Sequence, residues 1–113
     1  MKATNTTQHH LTNEVKEAAF FAEQIDDLVK RINHVARAPH NGDEWIIDES
    51  GECVANVGAY VVEHRWGGPK LCRIADKSGA LIECTPTRPA RDAYFLMKVF
   101  FAGMTSGISL CEA

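Results

Sequence analysis

The sequence predicts a two-layer α+β domain in which a long N-terminal helix and an apolar C-terminal helix cover one face of a four- to five-stranded antiparallel meander sheet. Three observations carry this prediction. Apolar residues recur at helical spacing through the first third of the chain. Two short Asp-x-Ser-Gly phrases, residues 48–51 and 76–79, each lie between β-prone residues. A last apolar segment follows Pro89 and is too long for a strand. Helices at both ends of a run of short strands are typical of this class.

The length, net charge and cysteine pattern of the chain argue against several classes of protein. With 113 residues the chain is predicted to form one domain, and its net charge of −3 argues against a nucleic-acid partner, because phosphate binding needs an excess of Lys and Arg. Four widely spaced cysteines without a C-x-x-C pair, and no apolar signal segment, predict reduced thiols and a cytoplasmic location. Lys98 interrupts the longest apolar run, so no membrane partner is expected.

Residues 11–38 are predicted to form a long amphipathic helix. Residues 1–10 carry little to bury and are predicted to be a disordered tail, so the single domain spans residues 11–113. The predicted helix would be about 40 Å long, more than a compact domain of this size can cover, so one end should overhang. The apolar stripe alternates spacings of three and four: Val15, Ala18, Ala22, Ile25, Val29, Ile32 and Ala36.

Both Asp-x-Ser-Gly phrases predict tight turns, since Asp bonds the backbone ahead of it and Gly accepts a positive φ. As three-residue hairpin loops they place Ile47 opposite Cys53 and Ile74 opposite Ile82. The second register also pairs Arg73 with Glu83 and Cys72 with Cys84. A three-residue loop at residues 67–69 would then set His64 opposite Cys72.

In that register, His64, Cys72 and Cys84 lie side by side on one face of three neighbouring strands. Imidazole and two thiolates suit zinc, so a zinc or thiol site is one alternative function. Cysteine on an inner sheet face ordinarily serves as a small apolar filler, and here each strand supplies only one ligand. The preferred interpretation is therefore packing, with no metal.

The second predicted helix starts near Pro89 and is apolar nearly all round from Ala93 to Met104. Such a helix must be covered on every side, by the core or by another subunit. A second alternative function is small-molecule binding in an aromatic pocket between this helix and the sheet. The residues proposed to line that pocket are Trp45, Tyr94, Phe95 and Phe100.

A partner-binding surface is predicted around Trp66, which two glycines follow directly. An exposed aromatic among basic residues is the composition of an interaction hot spot. Charged strand edges that resist aggregation are the competing interpretation. The predicted partner-binding residues are Trp66, Arg65, Lys70, Arg73 and Lys77.

The segment Trp-Ile-Ile-Asp-Glu-Ser-Gly-Glu-Cys-Val-Ala-Asn-Val, residues 45–57, followed by further strands and a helix, resembles small accessory proteins of phages and other mobile elements. Many of those proteins have no assigned activity, and some bind and block a host protein, including defence nucleases. The resemblance implies a binder; it covers the middle third of the chain and carries over no functional residue.

Catalytic motifs are missing from the sequence: neither helix contains Glu-x-x-His, and the Gly67-Gly68 pair does not precede a helix. We therefore expect a non-enzymatic protein-interaction module without a cofactor. The expected partner is a protein, and a homodimer would cover the apolar surplus of the helices.

Overall fold

The structure is a computed structural model that describes the backbone of residues 2–112 and the side chains of residues 15–106. It has the predicted α+β class, with helices at both ends and five antiparallel strands between them. The elements in chain order are α1 Lys2–Val35, a short turn Pro39–Gly42, β1 Trp45–Ile47, β2 Cys53–Ala55, β3 Tyr60–Arg65, β4 Gly68–Ile74, β5 Leu81–Glu83 and α2 Ala90–Glu112.

The strands form two sheets rather than the single predicted meander. β1 and β2 pair as a separate hairpin, and β4 is the centre of a three-stranded sheet between β3 and β5. The chain leaves β2 through the buried Asn56, whose N–H donates to the carbonyl of Glu44 (3.0 Å). Because its amide group also donates to the carbonyl of Pro39 (2.6 Å), Asn56 ties this corner to the segment after α1 and ends the pairing.

Both helices cover one face of the three-stranded sheet, as predicted. Successive strand residues point to opposite faces. The face towards the helices contributes Leu71 and, at its border, Tyr60 and Val62 to a core shared with α1 and α2. The helix residues buried in this core are Ile25, Leu28, Ile32, Ala93 and Met97.

The β1–β2 hairpin lies against the other face and adds a third, smaller layer. Ala55 of β2 packs there with Val61, Cys72 and Ile74 in a second core cluster. A single backbone bond, from the N–H of Ala55 to the carbonyl of Lys77 (3.0 Å), joins the hairpin to the β4–β5 turn. The predicted two-layer arrangement is therefore incomplete, since the sheet is covered on both faces.

The two helices run in the same direction and are displaced along their axes. Phe21 contacts Tyr94 with ring centroids 5.7 Å apart, and ten residues later Arg31 lies 5.3 Å above the ring of Phe101. The predicted overhang is present, because residues 15–20 of α1 are all exposed while its buried positions begin at Ile25. The molecule measures 59 × 41 × 19 Å.

α1 extends beyond its predicted bounds at the N-terminus and stops short at the C-terminus. It is helical from Lys2, well before the predicted start at residue 11. The disordered tail predicted for residues 1–10 stays a prediction. Across residues 2–112, no helix is both long and apolar enough to cross a bilayer.

The first predicted hairpin register is confirmed. Ile47 faces Cys53, and the carboxylate of Asp48 accepts bonds from the N–H groups of Ser50 and Glu52 (both 2.9 Å). Gly51 has φ +87°, as the predicted glycine position requires. These bonds, with the hydroxyl of Ser50 the largest contributor, hold the pKa of Asp48 below its usual value.

The register predicted for the second hairpin is wrong by one residue. Ile74 faces Leu81, because the N–H of Ala75 donates to the carbonyl of Ala80 (2.7 Å) and the loop holds four residues instead of three. The Asp76 turn itself forms as predicted and lowers the pKa of Asp76. The predicted Arg73–Glu83 pair is consequently absent, and Arg73 faces Ile82.

The β3–β4 register is displaced by three residues from the prediction. His64 faces Pro69, not Cys72, because the loop is the two-residue pair Trp66-Gly67. Gly67 and Gly68 have φ of +99° and +127°, a conformation that lets the chain reverse this tightly. Pro69 thereby becomes a strand residue beyond the end of β5, where its missing N–H breaks no ladder bond.

α1 ends in a Schellman motif with arginine at the left-handed position. The N–H of Ala38 donates to the carbonyl of Asn33 (2.9 Å), and that of Arg37 to the carbonyl of His34 (3.1 Å). Arg37 has φ +54°, which glycine adopts without steric penalty. We expect Arg37→Gly to raise the free energy of unfolding by about 1 kcal/mol in urea denaturation. The control Arg31→Gly, inside the helix, should instead lower it; two equal losses would contradict the motif.

Candidate interaction surface

The β3–β4 turn presents a fully exposed tryptophan. Trp66 has a relative exposure of 102 %, so its side chain contacts nothing that shields it. The turn below it is closely backed by the segment before α2: a Cβ on Gly68 would lie 1.9 Å from the carbonyl oxygen of Arg88. This fixed turn holds the indole away from the body of the protein.

A groove of about 420 Å³ lies beside the turn, between α1 and the first residues of α2. Its walls are mainly apolar, with small side chains on α1 that leave the space open. The residues that line this tip groove are Ala18, Ala22, Ile25, Asp26, His64, Gly68, Pro69 and Ala90. We call Trp66, Arg65 and the tip groove together the tip surface.

The predicted basic residues do not form one surface. Arg65 precedes Trp66 and makes an ion pair with Glu63. Lys70 is half-buried on the sheet face away from the helices, with its Nζ 4.0 Å from a carboxylate oxygen of Glu63 and 3.8 Å from one of Glu83. Since side chains alternate along β4, Arg73 points to the opposite face.

Lys77 lies in the β4–β5 turn, at the far end of β4 from Trp66. Of the five residues predicted to bind a partner, only Arg65 therefore accompanies Trp66. The tip groove was not predicted from the sequence, because Pro69 meets the α1 residues only in the observed β3–β4 register, which differs from the predicted one.

The four aromatic residues of the predicted ligand pocket are also separated. Tyr94 and Phe95 are neighbours on α2 with ring centroids 5.8 Å apart, whereas Phe100 contacts Tyr60, also at 5.8 Å. Trp45 belongs to the β1–β2 hairpin, where its ring is near Gly79 on the side of the sheet away from α2. These residues do not line one pocket.

His64, Cys72 and Cys84 do not meet on one face. Cys72 faces Val61 and belongs to the cluster under the β1–β2 hairpin, whereas Cys84 borders the core under the helices. Burial raises the pKa of both thiols, and the charge of Glu63 raises that of Cys72 further, so neither forms a thiolate readily. Among the residues with described side chains, no three His, Cys, Asp or Glu are grouped as metal ligands.

Comparison of the chain with protein-family models, with curated proteins and with solved structures finds no significant match. The resemblance to phage and mobile-element accessory proteins therefore stays a prediction from the sequence.

Proposed function

We propose that this chain is a small non-enzymatic protein-interaction module that binds a protein partner through the tip surface. The observation that carries the proposal is the complete exposure of Trp66 on a turn fixed by its neighbours. An indole in water contributes nothing to the fold, yet it would bury about 150–250 Å² against a partner. Tryptophan and arginine are also the residues most enriched among interface hot spots.

The tip groove supports the same proposal. Beside the projecting indole it offers a recess with small apolar walls, so that a partner can both accept Trp66 and insert a side chain of its own. Val15, which is exposed on the overhanging part of α1, lies on the same side of the helix as Ala18 and Ala22 and continues this surface. More specifically, we propose that the chain is a product of a phage or other mobile element that binds and blocks a host protein, such as a defence nuclease.

Trp66→Ala is expected to weaken binding to the partner at least 30-fold, which corresponds to about 2 kcal/mol for loss of a hot-spot aromatic. The measurement is affinity capture from a lysate of the native host, with immobilised wild-type protein and variants at equal loading. Since Trp66 contacts nothing in the fold, the thermal unfolding of the variant should match that of the wild type.

Ile47→Ala is the matched control, because Ile47 is another exposed apolar residue. It lies on β1, in the hairpin that is joined to the β4–β5 turn at the other end of β4 from the tip surface. It should capture the same proteins as the wild type. Equal capture by wild type and Trp66→Ala would contradict the proposal. Light scattering over a dilution series measures the solution mass and so identifies a homodimer. If the wild type is a homodimer and Trp66→Ala has the mass of a monomer, the partner is a second copy of this chain.

A further inference from the structure

The outer edge of β3 pairs with no other strand in the described part of the chain. In an antiparallel pair, alternate residues direct their N–H and C=O groups towards the neighbouring strand or away from it. The N–H of Ile74 donates to the carbonyl of Ala59 (2.9 Å), so the odd-numbered residues of β3 bond to β4. The backbone groups of Tyr60, Val62 and His64 therefore point outward.

Asn33 shows that the first of these outward positions accepts a peptide-like group. Its amide Nδ2 donates to the carbonyl of Tyr60 (2.9 Å), and its Oδ1 accepts the N–H of Tyr60 (2.7 Å). One side-chain amide thus makes the pair of bonds that a residue of an added strand would make. The outward groups of Val62 and His64, next along the edge, have no hydrogen-bond partner among the described residues.

A groove of about 420 Å³ follows this edge between β3 and α1. On the helix side it is bordered by Asp26, Val29 and Lys30, and it is closed near Tyr60 by the loop that contains Asp43 and Glu44. Three carboxylates and one ammonium group line it, so its charge favours a basic ligand. We call this the edge groove.

We propose that the edge groove binds an extended, basic peptide segment of the protein partner, which pairs with Val62 and His64 as a fourth strand. The proposal rests on the proposed function and names the chemistry of the partner. Main-chain bonds to the edge supply affinity, and the acidic rim selects lysine or arginine at alternate positions of the peptide. The segment runs from Asn33 towards the turn, so its continuation reaches the tip surface.

A variant that removes one outward N–H tests the pairing. His64→Pro deletes the outward donor without breaking a bond to β4, and His64→Ala keeps the donor while losing the same side chain. The probe is a blocked hexapeptide of alternating lysine and valine. We expect its Kd to rise about fivefold in His64→Pro relative to His64→Ala, which corresponds to one hydrogen bond.

The charge and the site have their own controls. The same peptide with glutamate in place of lysine should bind at least about tenfold more weakly, since it would face the three carboxylates. Amide hydrogen exchange should show Val62 and His64 unprotected in the free protein and protected with peptide, while Glu63 is protected in both states. Equal Kd values for the proline and alanine variants, or unprotected Val62 and His64 amides at saturation, would overturn the proposal.

Two further measurements keep the test decisive. If His64→Pro loses its fold, a peptide N-methylated on alternate residues supplies the test from the ligand side. Methylation removes the peptide N–H groups that would donate to the outward carbonyls of Val62 and His64, so this peptide must bind at least about fivefold more weakly to the wild type. A dimer that His64→Pro dissociates would place a second copy at the edge and overturn the basic-peptide assignment. If the peptide does not bind but capture of the partner still depends on Trp66, the edge-groove proposal alone is rejected. If the peptide binds but capture of the partner does not depend on Trp66, the proposed function alone is rejected.

Discussion

Asn33→Ala is expected to lower the free energy of unfolding by about 2–4 kcal/mol. The side chain is buried at 6 % exposure and satisfies both backbone groups of Tyr60, so alanine leaves a donor and an acceptor unpaired at the junction of α1 and β3. Each unsatisfied group of this kind costs about 1–3 kcal/mol, and water reaching the edge offsets part of the sum.

Urea denaturation followed by circular dichroism measures this loss. His34→Ala is the matched control, because His34 follows Asn33 on α1 but is exposed and should change stability by less than about 0.5 kcal/mol. Comparable effects of the two substitutions would show that Asn33 does not join α1 to the sheet. The Asn33 variant should also expose the Tyr60 amide to faster hydrogen exchange.

Gly68→Ala is expected to destabilise the fold by about 3–5 kcal/mol. The added Cβ would lie 1.9 Å from the carbonyl oxygen of Arg88 and 3.1 Å from the Cα of Pro89, so two backbone segments must separate. Gly68 also has φ +127°, a conformation that alanine adopts only with strain. Both effects act at the turn that carries Trp66, so the tip surface should lose its shape together with its stability.

Gly51→Ala separates the two causes. Gly51 has φ +87° but nothing within 4 Å of an added Cβ, so only the backbone strain remains and the expected loss is about 1–2 kcal/mol. Thermal or urea unfolding of both variants gives the comparison. If Gly68→Ala were no more destabilising than Gly51→Ala, the close approach of the β3–β4 turn to residues 88–89 would be refuted.

The sequence allowed the fold class, both helices and the chemistry of the Asp turns to be predicted, because these depend on local pattern. The two Asp turns contain equivalent bonds: the N–H of Ser50 donates to the carboxylate of Asp48, and that of Ser78 donates to the carboxylate of Asp76. Their strands nevertheless close with different loop lengths. The bonds inside a turn do not decide which residues pair beyond it, since that depends on packing against neighbours distant in the chain.

The exposure of Trp66 could be predicted from the sequence because two glycines beside an aromatic residue mark an exposed turn. Its surroundings could not, since a three-residue error in register changes which residues lie next to the turn. Asn33 gave no sequence signal either. A polar residue in a helix ordinarily faces water, and only the approach of α1 to the open edge of β3 gives this one a structural role.

The parallel, displaced packing of α1 and α2 affects how the protein is made. The helix core needs Ile25 and Ile32 from α1 together with Met97 from α2, which are separated by the whole sheet region of the chain. During synthesis α1 is complete before α2, so the part of its apolar side that α2 covers stays exposed until α2 has been translated. Apolar surface exposed in this way during synthesis is what makes a nascent chain prone to aggregation.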